Sequence, residues 1–201
     1  MNFLGHLYLS GEDDDVRLGN FIGDAVKGSD YEKYPDGIKK GILLHRAIDS
    51  YTDEHEMVIQ SKSHLRDKYG IHSGIIVDIF YDHFLASRWT DYSDKDLKSF
   101  ISESYGLIRK NYFMLPGRVK KFAPFMIMND WIGSYKTIKG IKSILFRMSR
   151  STVLLAKASK AGNDLEEHYD DFLQEFRAFF PNIIRYVEGE HGVNINLKIC
   201  Q

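Results

Sequence analysis

Ionisable side chains occur in this sequence where the neighbouring residues predict a buried core. Asp78, Asp82 and His83 lie in the apolar segment 73–89, among isoleucines and phenylalanines. Asp78 and Asp82 are four residues apart, so they share one face of a helix, and His83 lies about 100° further round. Buried carboxylates without partners cost several kcal/mol each, and a divalent cation is one group that would compensate them.

Ionisable residues also lie among apolar residues in two earlier segments. His45 and Asp49 are four residues apart on the apolar face of a predicted helix, and Asp53 continues that row. His6 and Asp24 interrupt apolar or glycine-rich stretches near the N-terminus. We expect these side chains to converge on one cavity. Mixed imidazole and carboxylate ligands suit Mn²⁺, Fe²⁺ or Zn²⁺, while the lack of a Cys-x-x-Cys pattern disfavours structural zinc.

The alternative for each residue taken singly is a structural role. A lone buried histidine is more often a core residue that donates to a carbonyl oxygen, and a lone aspartate is often a helix cap or an ion-pair partner. Arg46, Arg88 and Lys27 are the cations available for such pairs. The clustering of several such residues favours a metal or catalytic site.

The elements that carry these residues are predicted to be helices. Apolar residues recur at helical spacing, and no segment has the alternating pattern of a strand. Pro181 is predicted to kink or break the last helix. The fold class is therefore all-α, a single-domain helical bundle over 1–190 with a C-terminal tail at 191–201. The predicted helices cover 14–27, a segment entered at Pro35-Asp36, 55–68, 73–89, 93–114, 118–132, 134–149 and 164–187.

Composition limits the class of protein. The 201 residues carry a net charge of −1, which argues against a general nucleic-acid-binding role. The single cysteine, Cys200, agrees with a reducing compartment. No secretory signal and no apolar run of membrane-spanning length is apparent, so we expect a cytoplasmic protein without a membrane span.

Basic residues are frequent after position 116. They would suit an acidic partner or a phosphate group, and a solvated helix face is the alternative interpretation. They are Arg118, Lys120, Lys121, Lys136, Lys139, Lys142, Arg147 and Arg150.

Four blocks of the sequence resemble bacterial acyl carrier protein phosphodiesterases, in the order in which that family has them. A weaker fifth block, His168-Tyr169-Asp170 with Phe179-Phe180-Pro181, resembles the C-terminal end of the family. The four blocks are Met1-Asn2-Phe3-Leu4-Gly5-His6-Leu7-Tyr8-Leu9, Gly19-Asn20-Phe21-Ile22-Gly23-Asp24 with Val26-Lys27-Gly28, His45-Arg46-Ala47-Ile48-Asp49 with Thr52-Asp53, and Asp78-Ile79-Phe80-Tyr81-Asp82-His83-Phe84-Leu85 with Trp89.

The resemblance implies an HD-like helical fold and a metal-dependent reaction. Holo-acyl carrier protein would be the partner, and hydrolysis would release 4′-phosphopantetheine and the apo carrier. The implied cofactor is Mn²⁺, with Mg²⁺ or Fe²⁺ as alternatives. The adjacent His-Asp pair of the wider HD superfamily is absent, because His45 is followed by Arg46.

Roles follow for eight residues. His6, His45, Asp49, Asp82 and His83 are expected to bind the metal. Asp24 or Asp78 would orient the attacking water or take its proton. Arg46 would neutralise a phosphate oxygen, or alternatively pair with a ligand carboxylate.

Two rival functions remain open. One is an HD-like phosphohydrolase that acts on a nucleotide or another small phosphoester. The other is a non-catalytic helical binding module.

Overall fold

The structure, a computed structural model, describes residues 1–151 and 153–195, and within these ranges it contains helices and no β-strand. The prediction of an all-α bundle is confirmed. The α-helices are α1 (Phe3–Tyr8), α2 (Asp14–Ile22), α3 (Asp36–Glu54), α4 (Glu56–Tyr69), α5 (Ser73–Ser87), α6 (Trp89–Tyr92), α7 (Leu97–Lys110), α8 (Gly117–Met128), α9 (Trp131–Ser134), α10 (Ile138–Ser151), α11 (Ala161–Glu167) and α12 (Tyr169–His191).

Helix α5 is the central helix, as its apolar sequence predicts. Phe80, Tyr81 and Phe84 are fully buried on it. The Tyr81 ring packs against Phe176 and Phe179 of α12, at centroid distances of 5.5 and 5.4 Å. A helix that is apolar nearly all round must be covered on nearly every side, and α5 consequently forms the frame against which the other helices are placed.

Helices α2 and α3 cross in backbone contact because two glycines meet there. A Cβ atom on Gly19 would lie 2.0 Å from the carbonyl oxygen of Ile38, and one on Gly41 would lie 2.1 Å from that of Val16. Any larger side chain would force the helices apart. The crossing brings the end of α2 against the middle of α3, where two of the expected site residues lie.

The short helix α1 is held by a carboxylate from α5. Asp82 accepts hydrogen bonds from the backbone N–H groups of Asn2, Leu4 and Gly5, at 3.1, 2.8 and 3.1 Å. The first N–H groups of a helix have no partner within the helix, so this carboxylate satisfies donors that would otherwise be orphaned. Asp82 thereby fixes the helix that carries His6.

Several predicted helix boundaries differ from the structure. Helix α2 ends at Ile22 and continues as one 3₁₀ turn, Gly23–Ala25, instead of running to 27. The helix expected to begin at Ser93 begins at Leu97, because Asp96 is its N-cap and accepts from Ser99 N–H at 3.0 Å. Both Ser93 and Asp96 are residue types that favour this position.

The last predicted helix is divided, but not where proline suggested. The helical structure is interrupted at His168, between α11 and α12. Helix α12 then continues through Pro181 as far as His191. Phe179 and Phe180 beside the proline are fully buried. Their packing holds the helix together where the backbone hydrogen bond is lost.

Val193 and Asn194, which follow α12, lie over the turn between α1 and α2. Val193 is buried there, and a Cβ atom on Gly11 would lie 2.6 Å from the carbonyl oxygen of Asn194. Residues 196–201 of the predicted tail, and the side chain of Arg150, lie outside the described residues. In the described part of the chain, no helix has the length and apolarity needed to cross a membrane.

Candidate metal centre

Three of the expected ligands meet at one point. The Nε2 atom of His6 lies 3.2 Å from Oδ1 of Asp49, and that of His45 lies 3.1 Å from Oδ2. The two imidazole rings are stacked at a centroid distance of 4.0 Å. One donor atom from each residue lies within 4.8 Å of the others, and no other such group of three occurs in the described ranges.

A single residue, Asn20, orients both imidazoles. Its side-chain Oδ1 lies 2.8 Å from Nδ1 of His6, and its backbone oxygen lies 2.9 Å from Nδ1 of His45. The Asn20 amide orientation is fixed, because Nδ2 donates to the backbone oxygen of His6 and to Ser10 Oγ, both at 2.9 Å. Both Nδ1 atoms therefore face oxygen acceptors, which favours the proton on Nδ1 and directs both Nε2 atoms at Asp49.

Negative charge at this site is carried by Asp49. Burial and the neighbouring His45 ring lower the pKa of His6, so the ring is uncharged at neutral pH. Burial alone would raise the pKa of Asp49, but His45 and His6 outweigh it and lower that pKa. An ionised carboxylate thus lies beside the Nε2 atoms of two imidazoles. The donor set fits a divalent ion, which would bind all three groups at once.

The site is walled on one side and open on the other. A Cβ atom on Gly23 would lie 2.4 Å from both Cβ and Cγ of His45, so only glycine leaves room for the ring. His6 and His45 are buried, whereas 47% of the Asp49 side chain is exposed. Asp49 therefore lies on the side from which solvent and a substrate can approach.

Asp82 and Asp78, the two carboxylates expected from α5, have partners of their own. Asp82 points at the backbone of α1, and burial raises its pKa to about 7 in spite of the Met1 ammonium and the backbone N–H donors. Asp78 Oδ1 lies 2.8 Å from the Met1 nitrogen. The structure brings neither carboxylate into the group formed by His6, His45 and Asp49.

His83 lies on a different side of α5 from these carboxylates. Its Nδ1 contacts the backbone oxygen of Tyr135 at 2.7 Å, and its Nε2 contacts the Tyr169 hydroxyl at 3.2 Å. Both ring nitrogens are therefore used in hydrogen bonds to neighbouring helices. This is the core-histidine alternative that the sequence left open, and the structure does not place His83 with the three donors.

The two remaining expected residues, Asp24 and Arg46, lie near the three donors and have partners of their own. Asp24 follows Gly23 and is exposed, 3.3 Å from Arg118 and 3.8 Å from Lys27. Arg46 donates to the backbone oxygens of Val26 and Gly28, at 3.1 and 2.8 Å. The guanidinium of Arg46 thus ties the loop after α2 to α3, instead of pairing with a carboxylate ligand.

Sequence reasoning did not identify Asn20 as a site residue. Replacing it with alanine removes the acceptor for His6 and two donated hydrogen bonds. We expect Mn²⁺ affinity to fall about 10- to 100-fold, the usual effect of losing a partner that orients a metal ligand. Titration monitored by electron paramagnetic resonance would measure this. The exposed Asn163→Ala is the control, and an Asn20→Ala protein that is folded and binds Mn²⁺ normally would contradict the assigned role.

The pH dependence of the metal-free protein should reveal the uncharged His6. Below a pH of about 6.5 the unfolded His6 binds a proton that the folded residue, with its lowered pKa, does not. The unfolded state then binds more protons, so His6 lowers stability as the pH falls. Urea titrations of both proteins in the presence of a chelator should show that, below this pH, the free energy of unfolding of wild type falls relative to that of His6→Gln. All other titratable groups are present in both proteins. A difference in the free energy of unfolding that does not change with pH would therefore contradict this prediction.

Comparison with known proteins points to one family. A family model described as acyl carrier protein phosphodiesterase matches residues 1–183. The chain is similar to the acyl carrier protein phosphodiesterases of Pectobacterium atrosepticum (34% identical), Photorhabdus laumondii (31%) and Yersinia enterocolitica (30%). Each match covers 94% of this chain, and 99%, 96% and 99% of the respective relative. No solved structure matches the chain.

Proposed function

This chain belongs to the acyl carrier protein phosphodiesterase family of phosphoric diester hydrolases, and on that premise we propose that it removes 4′-phosphopantetheine from holo-acyl carrier protein with the help of a divalent metal. The reaction consumes water and cleaves the bond between the phosphate and a serine of the carrier. Its products are the apo carrier and free 4′-phosphopantetheine. The arrangement of His6, His45 and Asp49 is the observation that carries the proposal.

The proposed ligands are those three residues. They would hold Mn²⁺, with Mg²⁺ or Fe²⁺ as alternatives, through two Nε2 atoms and a carboxylate. When bound, such an ion polarises a phosphoryl oxygen and lowers the pKa of water. Asn20 offers an oxygen acceptor to each Nδ1 atom and thereby directs both Nε2 atoms toward Asp49, so the chain itself pre-organises the site before any ion arrives.

We assign the proton-handling role to Asp24. Its carboxylate is exposed, and it belongs to the 3₁₀ turn that begins at Gly23, in contact with His45. It is therefore accessible to a water molecule near the three donors. Arg118 and Lys27 lie beside it and provide positive charge for the oxygens of a phosphodiester. Asp78 is less suited to this role because it is paired with the Met1 ammonium.

Intact mass spectrometry of the carrier tests the proposed reaction. Holo-acyl carrier protein incubated with the chain and Mn²⁺ should lose the mass of phosphopantetheine, and a chelator should prevent the loss. An unchanged carrier mass, with a folded and metal-loaded chain, would reject the substrate. Turnover of nucleotides or other small phosphoesters in its place would favour the rival phosphohydrolase, and binding without turnover would favour the non-catalytic module.

A further inference from the structure

Positive charge is concentrated in one part of this nearly neutral chain. Residues 104–163 contain twelve of the 27 lysines and arginines but only one of the 28 acidic residues, Asp130. The rest of the chain has the corresponding excess of acid. A net charge of −1 thus conceals a strongly basic region, which attracts anionic partners in spite of the overall balance.

Within this region, helix α8 presents an exposed stripe that is basic at one end and apolar at the other. Arg118, Lys121, Phe125 and Met128 are spaced by three, four and three residues, so they share one helix face. Phe125 is 57% exposed and Met128 is 74% exposed, and Phe113 just before the helix is 89% exposed. We call these five residues the α8 face.

The exposure of this face does not come from a loosely attached helix. Val119, Ala123 and Met126, on the opposite side of α8, are buried in the core. Large apolar side chains that remain exposed on a firmly packed helix mark interaction sites more often than isolated surface residues do. Aromatic side chains, methionine and arginine are also the types enriched at protein interfaces.

The α8 face borders the candidate metal centre. On the packed side of the helix, the Phe122 ring lies 5.8 Å from Phe3 of α1 and 6.4 Å from Phe21 of α2. These two helices carry His6 and Asn20. Arg118 reaches Asp24, at 3.3 Å. A partner seated on the α8 face would therefore lie beside the entrance to the three metal donors.

We propose that the α8 face docks the protein substrate of the reaction proposed above, with Arg118 and Lys121 facing carboxylates of the carrier and with Phe125 and Met128 in apolar contact with it. This inference rests on the proposed function. Charge complementarity favours this occupant: the face offers cations and apolar groups, and residues 104–129 contain no carboxylate. A second copy of the chain fits less well, because a two-fold contact would pair this face with itself and offer its cations no carboxylate.

Charge reversal at Lys121 tests the proposal without changing the metal centre. Lys121→Glu should weaken binding of fluorescently labelled holo-acyl carrier protein at least about tenfold and raise KM similarly, with kcat at saturating carrier unchanged. Phe125→Ala should act in the same direction, and wild-type binding should weaken with added salt. Arg177→Glu, an exposed site on α12, is the matched control and should have no effect.

The possible failures are distinguishable. If wild type binds the carrier but does not release phosphopantetheine, the proposed function fails. The docking proposal is then still tested by the binding of the carrier to the variants. If Lys121→Glu and Phe125→Ala bind the carrier as wild type does, or no more weakly than Arg177→Glu, the docking proposal is overturned. Under that result, loss of self-association by the two variants in sedimentation experiments would assign the face to a second copy of the chain. Loss of binding to anionic vesicles would assign it to a membrane surface.

Discussion

Asp49→Asn should bind Mn²⁺ far more weakly than wild type and should lower kcat/KM by about three orders of magnitude. A catalytic metal supplies several kcal/mol of transition-state stabilisation, and each 1.4 kcal/mol corresponds to about a tenfold rate change. Asp49 contributes the half-exposed oxygen ligand of the candidate centre. The neutral amide retains its size while losing its charge. Metal analysis after dialysis and carrier-release kinetics measure the two effects.

The same substitution should make the metal-free protein slightly less stable. In the folded chain His45 and His6 outweigh burial and lower the pKa of Asp49, so the ionised carboxylate contributes stability at neutral pH that the amide lacks, and urea unfolding in the presence of a chelator should show a small loss. Asp53→Asn provides the matched control, because Asp53 lies one turn further along α3 and pairs with Lys62 at 2.6 Å. If Asp49→Asn retains stoichiometric metal and wild-type rates, the candidate centre is assigned incorrectly.

Asp82→Ala should be the most destabilising of the substitutions considered for this chain. It would remove the acceptor of three backbone N–H groups at the start of α1. Each buried donor left unsatisfied costs about 1–3 kcal/mol, so we expect the free energy of unfolding to fall by at least about 3 kcal/mol. Urea unfolding with a chelator present measures this value independently of metal binding.

A graded control is available at another helix. Asp96 caps α7 at an exposed position, so Asp96→Ala should cost only about 1 kcal/mol. Asp82→Ala should also weaken Mn²⁺ binding, because α1 carries His6. Equal stability losses for the two variants would show that Asp82 is not the anchor of α1. Intact stability with lost metal binding would instead favour Asp82 as a ligand, as the sequence suggested.

Sequence spacing predicted the part of the site that lies on one regular helix. His45 and Asp49 are related by one helical turn, so their proximity follows from the period alone. His6 joins them only through tertiary packing. Asp82 and His83 illustrate the opposite case: neighbouring residues on a helix point about 100° apart, so one contacts α1 while the other contacts Tyr135 and Tyr169.

Other parts of the site had no recognisable pattern in a single sequence. Asn20 is uncharged and does not stand out in an apolar stretch, yet its side chain contacts His6 and its backbone oxygen contacts His45. Helix α1 has only six residues, too few to show a helical period. The Gly19 and Gly41 contact depends on how two helices cross, which local sequence does not specify.

Diffraction from crystals soaked in Mn²⁺, recorded at the manganese absorption edge, tests the metal assignment most directly. The anomalous peak should lie within bonding distance of Nε2 of His6, Nε2 of His45 and a carboxylate oxygen of Asp49, with both Nδ1 atoms still facing Asn20. A peak beside Asp82 or His83, with the three proposed donors left without metal, would contradict the account.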